Sequence, residues 1–171
     1  MLSILPVVLS VSMLSTSAPL SKHALLTSPT RHVRTTDAIL QKLFGIGLNR
    51  SPTLHLLMAR LETTDVIVYV EPVSTLPATL AGRLLIAPDN GTQRYLRIQI
   101  AVGASPNDTI ALIAHELRHA LEVADAPEVH NEATLIALYE RIGDHSHTGV
   151  HQYDTVAARA MGSRVQHELL A

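Results

Sequence analysis

Apolar positions fall at helical spacing from Thr36 onward. Ile39, Leu40, Leu43 and Phe44 recur at intervals of three and four, and Gly45 and Gly47 are expected to stop the run. Ser51-Pro52 then opens a second helix, with Ser as N-cap and Pro at the first helical position, extending to about Glu62. Asp65 to Glu71 is rich in β-branched and aromatic residues and is closed by Pro72, so it reads as a strand. A second apolar stretch, Gly82 to Ala87, meets Asp89-Asn90-Gly91, a turn of the kind that joins hairpin strands. The strand after it, Arg94 to Val102, alternates: Tyr95, Arg97 and Gln99 share one face, and Leu96, Ile98 and Ile100 the other.

Three helices complete the pattern. Ser105-Pro106-Asn107-Asp108 has the form of a capping box and starts a helix to about Ala124. Asp125-Ala126-Pro127-Glu128 repeats that form and is expected to start a helix ending near Ile142, with Gly143 as its stop. The last helix runs from about His151 or Gln152 to Leu170. The order predicts an α+β fold, a small antiparallel three-stranded sheet packed with helices.

The amino-terminal stretch differs in kind. Met1 to Ser21 carries no charged side chain, is too short and Ser-rich for a membrane span, and reads as a signal peptide with small residues at Ser15 to Ala18. That reading predicts export, periplasmic or secreted. The alternative is a disordered tail or a later start at Met13, with a cytoplasmic protein. Lys22 to Thr35 reads as a linker, which leaves 36–171 as a single domain, a length suited to one core.

Composition narrows the chemistry. Lys plus Arg total 13 against 15 Asp plus Glu, a net charge of −2 with no basic run, which argues against nucleic acid as the partner. The absence of cysteine excludes disulfides, a thiolate zinc site and a thiol nucleophile, so any metal must be held by nitrogen and oxygen. Only five residues are aromatic, too few for a base-stacking surface, whereas histidines number ten.

Two of those histidines stand in His115-Glu116-Leu117-Arg118-His119, inside the helix after the alternating strand. Residues four apart share a helix face, so both imidazoles can converge on one ion with Glu116 beside them. A hydrolytic zinc site uses three protein ligands and leaves one position for water, and a nearby carboxylate takes and returns the proton.

The segment resembles the active-site helix of zincin metallopeptidases. The longer string Ala111 to Val123 also resembles a group of short bacterial proteins that carry the same helix. The resemblance implies His115 and His119 as metal ligands and Glu116 as general base and acid. It further implies that Arg94 to Val102 is the edge strand on which an extended peptide lies. A third ligand is needed. Asp125 stands six residues beyond His119, as in the metzincin pattern, but Glu122 occupies the middle position where that pattern has Gly. Glu132 and Glu140 lie on the following helix, where a gluzincin supplies its glutamate. Asp154, in Gln152-Tyr153-Asp154-Thr155 before an Ala-rich helix, matches the acidic residue followed by Thr that the similar short proteins carry, with Asp shortened from Glu. Asp154 is the chosen ligand, with Asp125, Glu132, Glu140 and His151 as alternatives.

His145, His147 and His151 sit in a polar, Gly-containing connection; His151 or Tyr153 is a candidate for a supporting catalytic role. His23, His32, His55, His130 and His167 have no partner pattern and are expected at the surface or in local hydrogen bonds. The leading expectation is a zinc-dependent hydrolase, a peptidase acting on peptide or protein. The alternatives are a zincin-like metal-binding module without turnover and a metal-free helical interaction domain.

Overall fold

The structure, a computed structural model, describes residues 31–77, 80–88, 91–144 and 154–171. The signal-peptide reading of 1–21, His23, the hairpin residues Asp89 and Asn90, and the loop histidines with Tyr153 lie outside the described residues. The elements are β1 (Val33–Arg34), α1 (Ala38–Arg50), α2 (Pro52–Leu61), β2 (Val66–Val73), β3 (Gly82–Ala87), β4 (Arg94–Ala101), α3 (Pro106–Ala124), α4 (Glu132–Ile142) and α5 (Val156–Leu170). The class is α+β. No helix among the described residues is long and apolar enough to cross a membrane.

The sheet is mixed and four-stranded, in the order β1-β2-β4-β3, rather than antiparallel and three-stranded. β3 and β4 pair antiparallel, as the hairpin signal predicts, but β2 pairs parallel with both β1 and β4. The added strand comes from Val33 and Arg34, in the stretch read as a linker. Parallel pairing shows in burial: Val66, Ile67 and Val68 are all buried, so β2 is covered on both faces there. β2 also runs through Pro72 instead of stopping at it. Val68 donates its N–H to His32 across β1, so Pro72 turns its nitrogen to the same edge, beyond the end of β1, where no donor is required.

Val66, Val68 and Val70 lie beside Arg94, Leu96 and Ile98 on the helix-facing side. The other face carries a polar row in which Arg83 donates to Gln99 at 2.6 Å and Gln99 to Glu71 at 2.7 Å. α1 continues through Gly45 and Gly47 rather than ending there. Gly47 is a contact point: a Cβ on it would lie 2.7 Å from Leu54 and 2.8 Å from Ile110, so its absence lets α1 approach α2 and α3.

α3 is the central helix. Ile110, Ile113, Ala114, Leu117, Ala120, Leu121 and Val123 are buried around most of its circumference. Ser105 caps it as expected, accepting from the Asp108 N–H, while the Asp108 carboxylate takes the Ser105 hydroxyl at 2.6 Å. Its other end is held by Arg94, which shares the inward phase of Leu96 and Ile98. The buried guanidinium is bound bidentately by Asp65 at 2.7 Å and 2.7 Å and donates to the carbonyls of Val123, Ala124, Ala126 and Val129. These carbonyls belong to the end of α3 and the turn after it, where a helix carries partial negative charge. Asp125 closes α3 instead of opening the next helix; α4 starts at Glu132, capped by Asn131 with Thr134 reciprocating. Pro127 therefore lies in the turn that Arg94 fastens.

Candidate metal centre

α3 places the imidazoles of His115 and His119 one turn apart, with their Nε2 atoms 3.2 Å from each other and their rings edge to face. Asp154, immediately before the α5 N-cap Thr155, sets its Oδ1 3.4 Å from Nε2 of His115 and 3.6 Å from Nε2 of His119. Among the described residues these three form the group whose ligand atoms all lie within 4.8 Å of one another. An ion holding such atoms tetrahedrally at about 2.0–2.1 Å would separate them by about 3.3–3.4 Å. The triangle thus has the dimensions of one face of such a tetrahedron, and two imidazole nitrogens with a carboxylate oxygen form a donor set that a divalent metal ion could use.

The short aspartate reaches because α5 lies close against α3. Ala158, Gly162, Val165 and Leu169 form its buried stripe, and a Cβ on Gly162 would sit 3.3 Å from both the Ala111 carbonyl oxygen and the His115 Cβ. Thr155 joins the two helices chemically. Its hydroxyl accepts the Ala158 N–H to cap α5 and donates to the Glu122 carboxylate at 2.8 Å. The other oxygen of Glu122 lies 2.9 Å from His119 Nδ1. A carboxylate there accepts the Nδ1–H, so that the ring, when neutral, would offer its Nε2 lone pair on the side of Asp154 and His115. Tyr139 packs edge-on against the His119 ring at 5.3 Å, and its hydroxyl donates to the His119 carbonyl at 3.3 Å.

Electrostatics follow from this crowding. Burial pulls His115 below the usual imidazole range, and the charge of His119 adds to the effect. Burial also opposes protonation of His119, but the nearby Asp154 carboxylate and the hydrogen bond to Glu122 outweigh it and push it up to about 9. Burial would raise Asp154, yet the neighbouring His119, the charge of His115 and a hydrogen bond from Arg159 hold it at about 2. Glu116, 5% exposed, is pushed up to about 7 by burial, with His119 opposing. Tyr139 is raised well above its ordinary value by burial and by Glu122 and Glu116.

A cavity of about 740 Å³ opens over these groups. One wall is β3 with Leu80 and Ala81, the other is α4 through Glu132, Leu135, Ile136 and Tyr139, and the floor is Leu112, His115, Glu116, His119 and Asp154. β3, not Arg94 to Val102, is the edge strand beside the site: β4 is paired on both sides, whereas β3 pairs only with β4 among the described residues. At the start of β3 the backbone comes so near Glu116 that a Cβ on Gly82 would lie 2.6 Å from Oε1.

Of the alternative ligands, Asp125 is remote from the triangle, paired with Arg60 at 3.0 Å at the surface, because the chain after α3 turns away under Arg94. Glu132 lines the cavity without joining the triangle, and Glu140 is exposed on α4. His32 bonds the Val66 carbonyl at 3.0 Å, and His55, His130 and His167 are exposed. Sequence reasoning missed the partners: Glu122, Thr155, Tyr139, Arg159 and Gly82. Glu122 left a signal, a carboxylate one turn beyond His119 among buried positions of α3. Comparison with protein families, curated proteins and solved structures finds no match for this chain.

Proposed function

We propose that the protein is a zinc-dependent hydrolase of the zincin type, acting on peptides. The observation that carries this reading is the triangle of His115, His119 and Asp154 with Glu116 beside it, facing an open cavity bordered by a strand edge. When bound there, zinc would supply Lewis acidity, polarising a carbonyl and lowering the pKa of a coordinated water towards about 7.

The residues of the chain divide the remaining work. Glu122 accepts the Nδ1–H of His119 and so leaves Nε2 as the nitrogen that would hold the metal. Glu116, one residue beyond His115 and at the cavity floor, would accept a proton from water and deliver it to a leaving amine. The edge of β3, unpaired among the described residues, offers backbone N–H and C=O groups to an extended peptide, and the apolar lining of Leu84, Ile86, Leu112, Leu135 and Ile136 excludes water from its side chains.

A second reading, a zincin-like module that holds metal without turnover, draws support from the burial of Glu116 beneath Gly82. One experiment separates the two. Purified protein is assayed for bound zinc and for cleavage of a mixed peptide library, alongside Glu116→Gln and the His115→Ala/His119→Ala double variant. The hydrolase reading expects stoichiometric zinc, cleavage by wild type, and a Glu116→Gln protein that keeps zinc but loses at least a hundredfold in rate, the scale of general-base catalysis, about 10²–10⁴. Zinc without cleavage favours the module; zinc content unchanged in the double variant overturns both.

A further inference from the structure

Asp154 has a second oxygen, and the structure shows where it goes. Oδ1, on the side of the imidazoles, also accepts the Thr155 N–H at 2.7 Å. Oδ2 accepts from Nη1 of Arg159 at 3.2 Å. The other guanidinium nitrogen, Nη2, is bound by Oδ2 of Asp144, the residue after the α4 C-cap Gly143. Asp144 is itself fastened beside Asp154, because its N–H donates to the Asp154 carbonyl at 2.7 Å. The carboxylate of Asp154 is thus gripped at both oxygens.

We infer that Arg159, anchored by Asp144, is a positioning residue of the metal site: it holds Asp154 as a one-oxygen ligand and keeps the fourth coordination position open. This rests on reading the triangle as a metal centre. A carboxylate free to rotate can offer both oxygens to one ion and fill the place that water or a substrate carbonyl needs. Arg159 prevents this by occupying Oδ2, since a planar guanidinium can bridge two carboxylates while a compact ammonium bonds at one point. Charge matters as well. A lone arginine cation within a few ångströms of the ligand carboxylate would repel a divalent ion, and the Asp144 carboxylate cancels it. Arg159 and Asp144 therefore act in opposite senses on affinity although they belong to one chain of bonds.

The test uses cobalt(II) in place of zinc, because its visible bands report coordination number. Wild type, Arg159→Met, Arg159→Lys and Asp144→Asn are titrated with cobalt, affinity is measured against a chelator, and circular dichroism checks folding. Wild type is expected to show the intense bands of a four-coordinate ion. Arg159→Met should give the weaker bands of higher coordination with affinity equal or greater, and Arg159→Lys an intermediate spectrum. Asp144→Asn should weaken cobalt binding about tenfold or more with the four-coordinate spectrum kept, within the about 10–100-fold range for groups supporting a ligand. A cobalt spectrum in folded Arg159→Met indistinguishable from wild type overturns the inference and leaves the metal centre standing. Failure of wild type to bind cobalt or zinc overturns the metal centre, and the inference with it.

Discussion

Replacing Arg94 by Met keeps an unbranched apolar stem on the inner face of the sheet and removes six hydrogen bonds. The loss falls unevenly. The carbonyls of Val123 and Ala126 each retain a backbone donor, from Ala126 and Val129 respectively, both at 3.1 Å. The carbonyls of Ala124 and Val129 lose the guanidinium, and a buried acceptor left without a partner costs about 1–3 kcal/mol. Asp65 is left unpaired, but its side chain is 45% exposed and water replaces the guanidinium at little expense. Two orphaned carbonyls with a small contribution from Asp65 give about 3 kcal/mol, the lower end of the about 3–5 kcal/mol seen when one partner of a buried pair is removed. Arg94→Lys, which keeps the charge but reaches fewer acceptors, should lose about half as much. Urea unfolding followed by far-ultraviolet circular dichroism measures this. With m of about 1–3 kcal/mol per molar, Arg94→Met should lower the midpoint by about 1 M or more at unchanged m. A midpoint shift equivalent to less than about 0.5 kcal/mol would refute the assignment of Arg94 as the anchor of α3.

Three further outcomes follow from other contacts. Glu122→Gln should weaken zinc binding by about 10–100-fold in chelator competition while the fold persists, because the amide presents its N–H₂ or a weaker acceptor to His119 and Thr155; unaltered affinity would remove Glu122 from the site. Gly82→Ala sets a methyl 2.6 Å from Glu116 Oε1, so Glu116 must swing or β3 must lift; on the hydrolase reading cleavage should fall with zinc content intact, and full activity would show that the strand yields freely. Hydrogen bonding to Arg94 lowers the Asp65 pKa, so its stabilisation is present above the unfolded value of about 3.9 and is lost as pH falls through the lower folded value. Asp65→Asn should therefore flatten the decline in unfolding midpoint below about pH 4, and an unchanged slope would count against the pairing.

The legible parts of the sequence were those governed by local rules. Ser51 with Pro52 and Ser105 with Pro106 mark helix starts through capping chemistry confined to a few residues, and both appear where that chemistry puts them. His115 and His119 share a face because they are four apart on one helix. What was not legible depended on other elements. Whether β2 runs parallel or antiparallel to β4 is set by which strand inserts between which, and no residue in either strand encodes that alone. Gly45 and Gly47 look like a helix stop, yet packing against Leu54 and Ile110 carries α1 across them. Asp125-Ala-Pro-Glu has a capping pattern, but Arg94 claims the surrounding carbonyls and turns the chain first. Arg94 itself was readable in principle, as a charged residue in the apolar phase of an alternating strand.

Thr155 has a consequence for timing. Its one hydroxyl closes the first turn of α5 and also supports the carboxylate behind His119, so fraying of that turn loosens the imidazole. A ribosome delivers His115 and His119 well before Asp154 and Thr155, the latter 155 − 119 = 36 residues after His119. A nascent chain therefore carries the two imidazoles before it carries either the Asp154 carboxylate or the Thr155 hydroxyl that supports Glu122 behind His119. On the proposed reading of the triangle as a metal centre, the site is complete only once α5 lies against α3, because Asp154 and Thr155 both stand at the start of that helix.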